Sequence, residues 1–317
     1  MKKVLITGVT GFIGQRLAVI LFESGFEVSG TTRKSTANSN YIIVENIDSS
    51  AHWNHCLKGI DCVVHLAARV HEMNDTSSDP LKEFRTVNSE GTIHLANACV
   101  EAGVKRLIYL SSIKVNGECT IDHPISELDK TDPKDFYALS KFEAEVALLG
   151  ISKKSDLEVV ILRPPLVYGA GVKANFHNMM KWLNKEIPLP FGAIYNKRSL
   201  IYLDNLIDLI VTCIKHPNAV NEIFLVSDGE DLSTPELLNR VSLALGKKSW
   251  LLPVNQKILE YFLMLIGKEK LAQRLCGSFQ IDISKAKNLL NWTPPITVDE
   301  GLRKVAEHYL ESQKLRD

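Results

Sequence analysis

The 317-residue chain is poor in the features that would place a protein quickly. Its six cysteines, at 56, 62, 99, 119, 213 and 276, form no Cys-x-x-Cys pair and no ligand-like spacing with histidine. Neither a disulfide scaffold nor a metal site is expected, and a reduced, cytoplasmic protein is the simplest reading. Net charge is missing too. Thirty-seven Lys+Arg balance thirty-seven Asp+Glu without a basic block, so no surplus of cations stands ready for nucleic acid. The longest apolar run, Ile258 to Ile266, has nine residues and contains Glu260, too short for a membrane span. Val4-Leu5-Ile6 alone separates the opening lysines from Gly8, too little for a signal-peptide core. There is no internal repeat and no low-complexity segment. What remains, 45% hydrophobic and 23% charged, is ordinary for a globular protein of two domains, or of one large unit with an appended lobe.

Short apolar runs alternate with helical patterns in the first half: Lys3–Thr7, Glu27–Thr32, Tyr41–Val44, Asp61–Leu66, Arg106–Leu110 and Leu157–Leu162. Unbroken hydrophobicity of this kind belongs to strands covered on both faces of a parallel sheet. Phe84, Val87, Gly91, Leu95, Ala98 and Ala102 recur at helical steps and predict one crossover helix. The fold class is therefore α/β, a doubly wound parallel sheet with a smaller mixed C-terminal lobe. After Arg163-Pro164-Pro165 the chain turns Pro/Gly-rich, and Glu222–Val226 is a further strand candidate. Helices are expected at Ser233–Leu245, Gln256–Ile266, Ser284–Leu290 and Val298–Leu310, with Ser233 or Thr234 capping and Pro235 in the first turn.

The first strand runs into Thr7-Gly8-Val9-Thr10-Gly11-Phe12-Ile13-Gly14 and then a helix. Glycines at these three positions allow a sharp turn, close approach of the backbone to a pyrophosphate and tight helix–strand packing. Free N–H groups at the helix start then face the phosphates, a Rossmann arrangement for a dinucleotide. Residues 1–168 read as the dinucleotide-binding domain, with sheet returns near 199–226, and residues 169–198 and 227–317 as a substrate lobe. An acid at the end of the second strand would grip the ribose hydroxyls of NAD, but Thr31-Thr32-Arg33 stands there. A guanidinium suits a 2′-phosphate, so NADP is favoured over NAD; an Arg33 that merely touches solvent or stacks on adenine is the alternative.

Tyr137 and Lys141 stand four apart at the start of a helix and share one of its faces. A neighbouring ammonium is expected to draw the phenol, ordinarily near pKa 10, toward neutrality. Ser111-Ser112 follows the strand Arg106–Leu110, at the carboxyl edge where open α/β sheets place their sites.

Together with His65-Leu66-Ala67-Ala68, Asn88, Arg163–Gly169, Arg198–Asp204, Asp282–Ala286 and Asn291-Trp292, these motifs resemble the extended short-chain dehydrogenase/reductases of the nucleotide-sugar epimerase/dehydratase superfamily. The likeness covers nearly the whole chain. It implies a triad of Ser112, Tyr137 and Lys141, and cofactor contacts from Gly8, Gly11, Phe12, Ile13, Gly14, Arg33, Asn46, Ile47, Leu66, Ala67, Ala68 and Pro164, besides Tyr137 and Lys141. Asn175 and Arg198 match the family's diphosphate contacts, and Lys114 is placed to touch the sugar or the diphosphate. Asn46 replaces the family's usual Asp, and Leu166-Val167-Tyr168-Gly169 its Asn-Val-Tyr-Gly.

The superfamily's dehydratases carry an Asp-Glu pair after the catalytic Ser/Thr, and its 3,5-epimerising reductases a Cys; Ile113-Lys114 provides neither. Hydride transfer at C4 of a UDP-N-acetylhexosamine-type sugar remains, with O-antigen and capsule enzymes as the resemblance. A 4-ketoreductase using NADPH to form UDP-N-acetylquinovosamine is favoured through Arg33. A UDP-sugar 4-epimerase is the alternative, and a non-catalytic NAD(P)-binding redox sensor a remote one. Trp250-Leu251-Leu252 and Ile258–Ile266 read as a lid over the sugar pocket, with an epimerase of polyprenyl-linked sugars as the competing reading. By analogy with the family, a homodimer would pair through the Phe84–Ala102 and Phe136–Leu149 helices.

Overall fold

A computed structural model describes residues 2–70, 79–172 and 174–314, with the side chains of residues 174 and 175 left undescribed. The chain opens with β1 (Lys3–Thr7), α1 (Phe12–Glu23), β2 (Glu27–Thr32), β3 (Tyr41–Ile43), a short α2 (Asn54–Leu57) and β4 (Cys62–His65). A crossover made of α3 (Pro80–Phe84), a π-helical turn (Arg85–Glu90) and α4 (Gly91–Glu101) leads to β5 (Arg106–Leu110). A 3-10 turn (Ile113–Asn116), α5 (Phe136–Ser152) and β6 (Glu158–Arg163) follow. The remainder holds β7 (Leu166–Tyr168), α6 (Ala174–Asn184), β8 (Arg198–Tyr202), α7 (Leu203–Lys215), β9 (Ile223–Leu225) and β10 (Asp231–Leu232). Five helices end it: α8 (Thr234–Ala244), α9 (Gln256–Leu265), α10 (Glu269–Cys276), α11 (Ser284–Leu290) and α12 (Val298–Lys314).

The main sheet has seven parallel strands in the order β3-β2-β1-β4-β5-β6-β9, and its central strands β1, β4, β5 and β6 are largely apolar because both faces are covered. Val4, Ile6, Val64 and Ile108 pack with Leu17 and Leu21 of α1 and Leu206 and Ile210 of α7. Leu5, Val63, Leu107 and Ile161 point the other way, toward Leu95 of α4 and Leu148 of α5. Each such fully buried aliphatic side chain stabilises the fold by about 1.5–3 kcal/mol.

Within the stretch expected to return to this sheet, Ile223–Leu225 does so as β9, whereas Arg198–Tyr202 pairs with β7 and β10 in a separate three-stranded sheet. That small mixed sheet rests on α6, α8 and α12 through Tyr168, Phe176, Leu238 and Leu302. Ser233 caps α8 in a reciprocal box with Glu236, and Pro235 occupies the first turn. The expected single crossover helix is interrupted: the wide turn at Arg85–Glu90 inserts backbone that simple helical spacing does not anticipate. Among the described residues no helix is long and apolar enough to cross a membrane.

Candidate active site

The turn after β1 is shaped by its glycines. Gly8 has φ +70°, and a Cβ there would lie 3.0 Å from the Ala67 nitrogen. A Cβ on Gly14 would collide with the Gly8 carbonyl oxygen, so α1 can pass this close only without a side chain there. Gly11 caps α1 without a side-chain bond, and the first helical bond closes at Gln15, leaving the N–H groups of Phe12, Ile13 and Gly14 at the open end. This cradle fits the pyrophosphate of a nicotinamide dinucleotide. The other anticipated contacts stand along the same carboxyl edge. Leu66, Ala67 and Ala68 follow β4; Pro164 follows β6, its carbonyl accepting from Ile113 N–H at 3.0 Å. Ile47 packs its carbonyl against Gly91, while Asn46 beside it is exposed. Arg33, just past β2, is exposed and makes no ion pair among the described residues.

A buried relay holds this edge. Ala67 N–H donates to Thr7 Oγ1 (3.3 Å), the Thr7 hydroxyl shares a hydrogen bond with His65 Nδ1 (2.6 Å), and His65 Nε2 shares another with Thr92 Oγ1 (3.0 Å). Burial and the nearby Lys141 charge push His65 down to about 3, keeping it neutral. The histidine is a structural bracket joining β1, β4 and α4.

The structure brings Ser112, Tyr137 and Lys141 together. Ser112 begins the 3-10 turn after β5, where its hydroxyl accepts from Lys114 N–H at 3.3 Å and stands close enough to the Tyr137 phenol to favour its ionised form. Tyr137 lies in the first turn of α5, its ring edge-on to Phe84 at 6.3 Å. Lys141, 2% exposed, sends its ammonium to the Leu110 carbonyl at 2.8 Å, with the Tyr137 ring centre 6.0 Å away. Burial pushes the lysine down to about 7. The phenol departs from expectation: burial, with the Asp135 charge behind it, pushes it up to about 12 against the pull of the Ser112 hydroxyl. Desolvation of the phenolate outweighs help from an amine that is itself reluctant to be charged. Ser111, by contrast, is buried, and its hydroxyl has no partner among the described residues.

Two anchors fix α5. Asn88, in the π-helical turn, accepts from Arg69 N–H (2.8 Å) and donates to the Arg69 carbonyl and Ser140 Oγ, both at 3.0 Å. Asp135 caps the helix by accepting from Ala138 N–H at 2.7 Å. Deeper in, Arg163 pairs with Glu145 and donates to Asn116 Oδ1 at 3.0 Å, with both charged groups almost wholly buried. An Asp immediately before a helical run is the sequence signal for the Asp135 cap.

The expected substrate contacts divide. Lys114 is tied to Asp135 at 2.6 Å, beside the phenol. Arg198 opens β8, donates to the Gly277 carbonyl at 3.0 Å and is held below its ordinary pKa by burial and by the Arg274 guanidinium. Neither arginine pairs with an acid among the described residues. Arg274 comes from the distant α10, and no motif or spacing points to it before the chain is folded. The Asn175 side chain lies outside the described residues.

The model of the NAD dependent epimerase/dehydratase family matches residues 4–227, most of the chain. The chain belongs to this family. This epimerase/dehydratase member is thus an NAD-dependent enzyme of that kind. It is 46% identical to a UDP-glucose 4-epimerase of Vibrio cholerae, over 98% of this chain and 96% of the relative. It is also 27% identical, over 99% and 97%, to the N-acetyl-alpha-D-glucosaminyl-diphospho-ditrans,octacis-undecaprenol 4-epimerase of Escherichia coli O157:H7. The fold matches the crystal structure of UDP-N-acetylglucosamine 4-epimerase from Bacillus cereus with a TM-score of 0.80 at 24% identity, over 99% of this chain and all of that one.

Proposed function

We propose that the protein is a UDP-sugar 4-epimerase. The observation that carries the reading is the juxtaposition of Ser112, Tyr137 and the buried Lys141 at the carboxyl edge of the parallel sheet, with the Lys141 ammonium 6.0 Å from the Tyr137 ring centre. Ile113 and Lys114 follow the serine, so no further acid–base pair stands ready to expel a hydroxyl. The likeness to the Vibrio cholerae relative supports the same chemistry. A bound nicotinamide dinucleotide supplies hydride acceptance and return. Ser112 holds the sugar's 4-oxygen, and Tyr137 takes its proton and later gives it back. Lys141, fixed between the Leu110 carbonyl and the Tyr137 ring, supplies positive charge when protonated and so favours the phenolate. Arg198 and Arg274 take the diphosphate, with Asn175 at the start of α6 beside it and Lys114 at the sugar end.

The test is incubation with UDP-glucose or UDP-N-acetylglucosamine without added cofactor, followed by NMR. Interconversion with the C4 epimer is expected. A second reading, the NADPH-dependent 4-ketoreductase, is favoured by Arg33 beyond β2, which makes no ion pair among the described residues. Under it neither sugar would interconvert, and UDP-4-keto-6-deoxy-N-acetylglucosamine would consume about one NADPH per carbonyl at 340 nm. Pairing of two copies through α4 and α5 is part of the proposal, because Val100, Phe136 and Val146 expose apolar surface there. Light scattering at the mass of two chains is the expected result.

A further inference from the structure

The hairpin of α9 and α10, whose first helix reads from the sequence as a lid over the sugar pocket, exposes a large apolar surface. On one side of α9, Leu259 and Leu263 turn inward against Ile194, Ala272 and Cys276. On another, Ile258, Tyr261, Phe262 and Leu265 recur at steps of three and four and are 63%, 63%, 58% and 65% exposed. Trp250 and Leu252 before the helix, and Ile266 and Leu271 after it, are exposed as well. A helix apolar on two sides and covered on one has a face without a partner, and a continuous patch of this kind marks a docking surface.

The charges around the patch select the partner. Lys247, Lys248, Lys257, Lys268 and Lys270 face only Glu260 and Glu269 across residues 247–270, in a chain of zero net charge. None of the five lysines makes an ion pair among the described residues. Lys247 and Lys248 precede Trp250, Lys257 lies on α9 itself, and Lys268 and Lys270 follow Ile266, so the cations frame the apolar stripe. A second copy docking symmetrically would bring the same cations together, which repels. A bilayer carrying anionic headgroups meets both requirements, apolar side chains at the acyl boundary and ammoniums on phosphates.

We propose that the α9–α10 hairpin is a membrane-surface docking face, with Phe262 and Leu265 entering the headgroup layer of an anionic bilayer and the framing lysines meeting its phosphates. The test uses the full chain and sucrose-loaded vesicles of phosphatidylcholine, with and without about a third phosphatidylglycerol. Sedimentation with the anionic vesicles, lost in high salt, is expected. The partition should fall roughly 10-fold or more in Phe262→Ser/Leu265→Ser and in Lys268→Gln/Lys270→Gln, with turnover on soluble substrate unchanged in the lysine variant. Failure to sediment with anionic vesicles overturns the proposal, as does equal partition of wild type and both variants. A wild-type oligomer that Phe262→Ser/Leu265→Ser dissociates overturns it in favour of a second copy. Because the lysine variant leaves the apolar face intact, the test stands even if the serine variant misfolds.

Discussion

The two ends of the site treat charge in opposite ways. At the edge of the seven-stranded sheet Lys114 is bound to Asp135, Arg163 to Glu145 and Arg85 to Glu143, while Lys141 leans on the Leu110 carbonyl. At the start of β8, Arg198 has a backbone carbonyl and a second guanidinium for company. The first end is assembled by the chain itself, so its geometry stands before any ligand arrives. The second leaves buried positive charge to be met from outside, as a site for a diphosphate should.

If this contrast is right, substitutions at the first end damage chemistry or folding, and those at the second damage binding. The largest effect belongs to Tyr137→Phe, which should lower turnover by roughly 10²-fold or more while dinucleotide binding, followed by fluorescence, persists. A near-normal rate would remove the phenol from proton transfer. Next comes Arg198→Gln, expected to raise KM for the UDP-sugar by about 10- to 100-fold, the worth of a charge-assisted hydrogen bond, with kcat less affected and no loss of thermal stability. A collapse of kcat with unchanged KM would break the comparison. Asn88→Ala should lower the free energy of unfolding by about 1–3 kcal/mol in a denaturant titration, because it strands the Arg69 backbone groups.

A further effect is a pH slope. Burial holds folded Lys141 near 7, whereas in the unfolded chain it keeps its proton to about 10. Between those values the unfolded state binds more protons, so wild-type stability gains as pH rises through the window. Lys141→Met lacks that contribution. Its Tm advantage over the ligand-free wild type should be widest near pH 7 and shrink toward pH 10.

Local grammar made much of this legible. The glycines at 8, 11 and 14 announce the cradle because no other residue satisfies the contacts with Ala67 and with the Gly8 carbonyl. Tyr137 and Lys141 declare themselves by helical spacing, and Ser233-Thr-Pro-Glu236 writes out its own capping box. What stayed hidden depends on distant partners. Arg274 reaches Arg198 only after the small sheet and α10 have packed. The direction of the Tyr137 shift follows from burial by the fold, not from the neighbour at i+4 that the spacing reveals. The five lysines around α9 vanish in a neutral total, and become a feature once the helix shows which of its faces is uncovered.

The wide turn at Arg85–Glu90 has a consequence for how this chain can change in length. In a regular helix each residue turns the chain by about 100°. Removing one residue from that turn would swing Asn88 away from Arg69 and Ser140 while leaving the crossover's ends near their places. A deletion harmless to the helix as a helix would thus unlatch α5 and its tyrosine, so the segment between Phe84 and Gly91 behaves as a ratchet with one permitted notch.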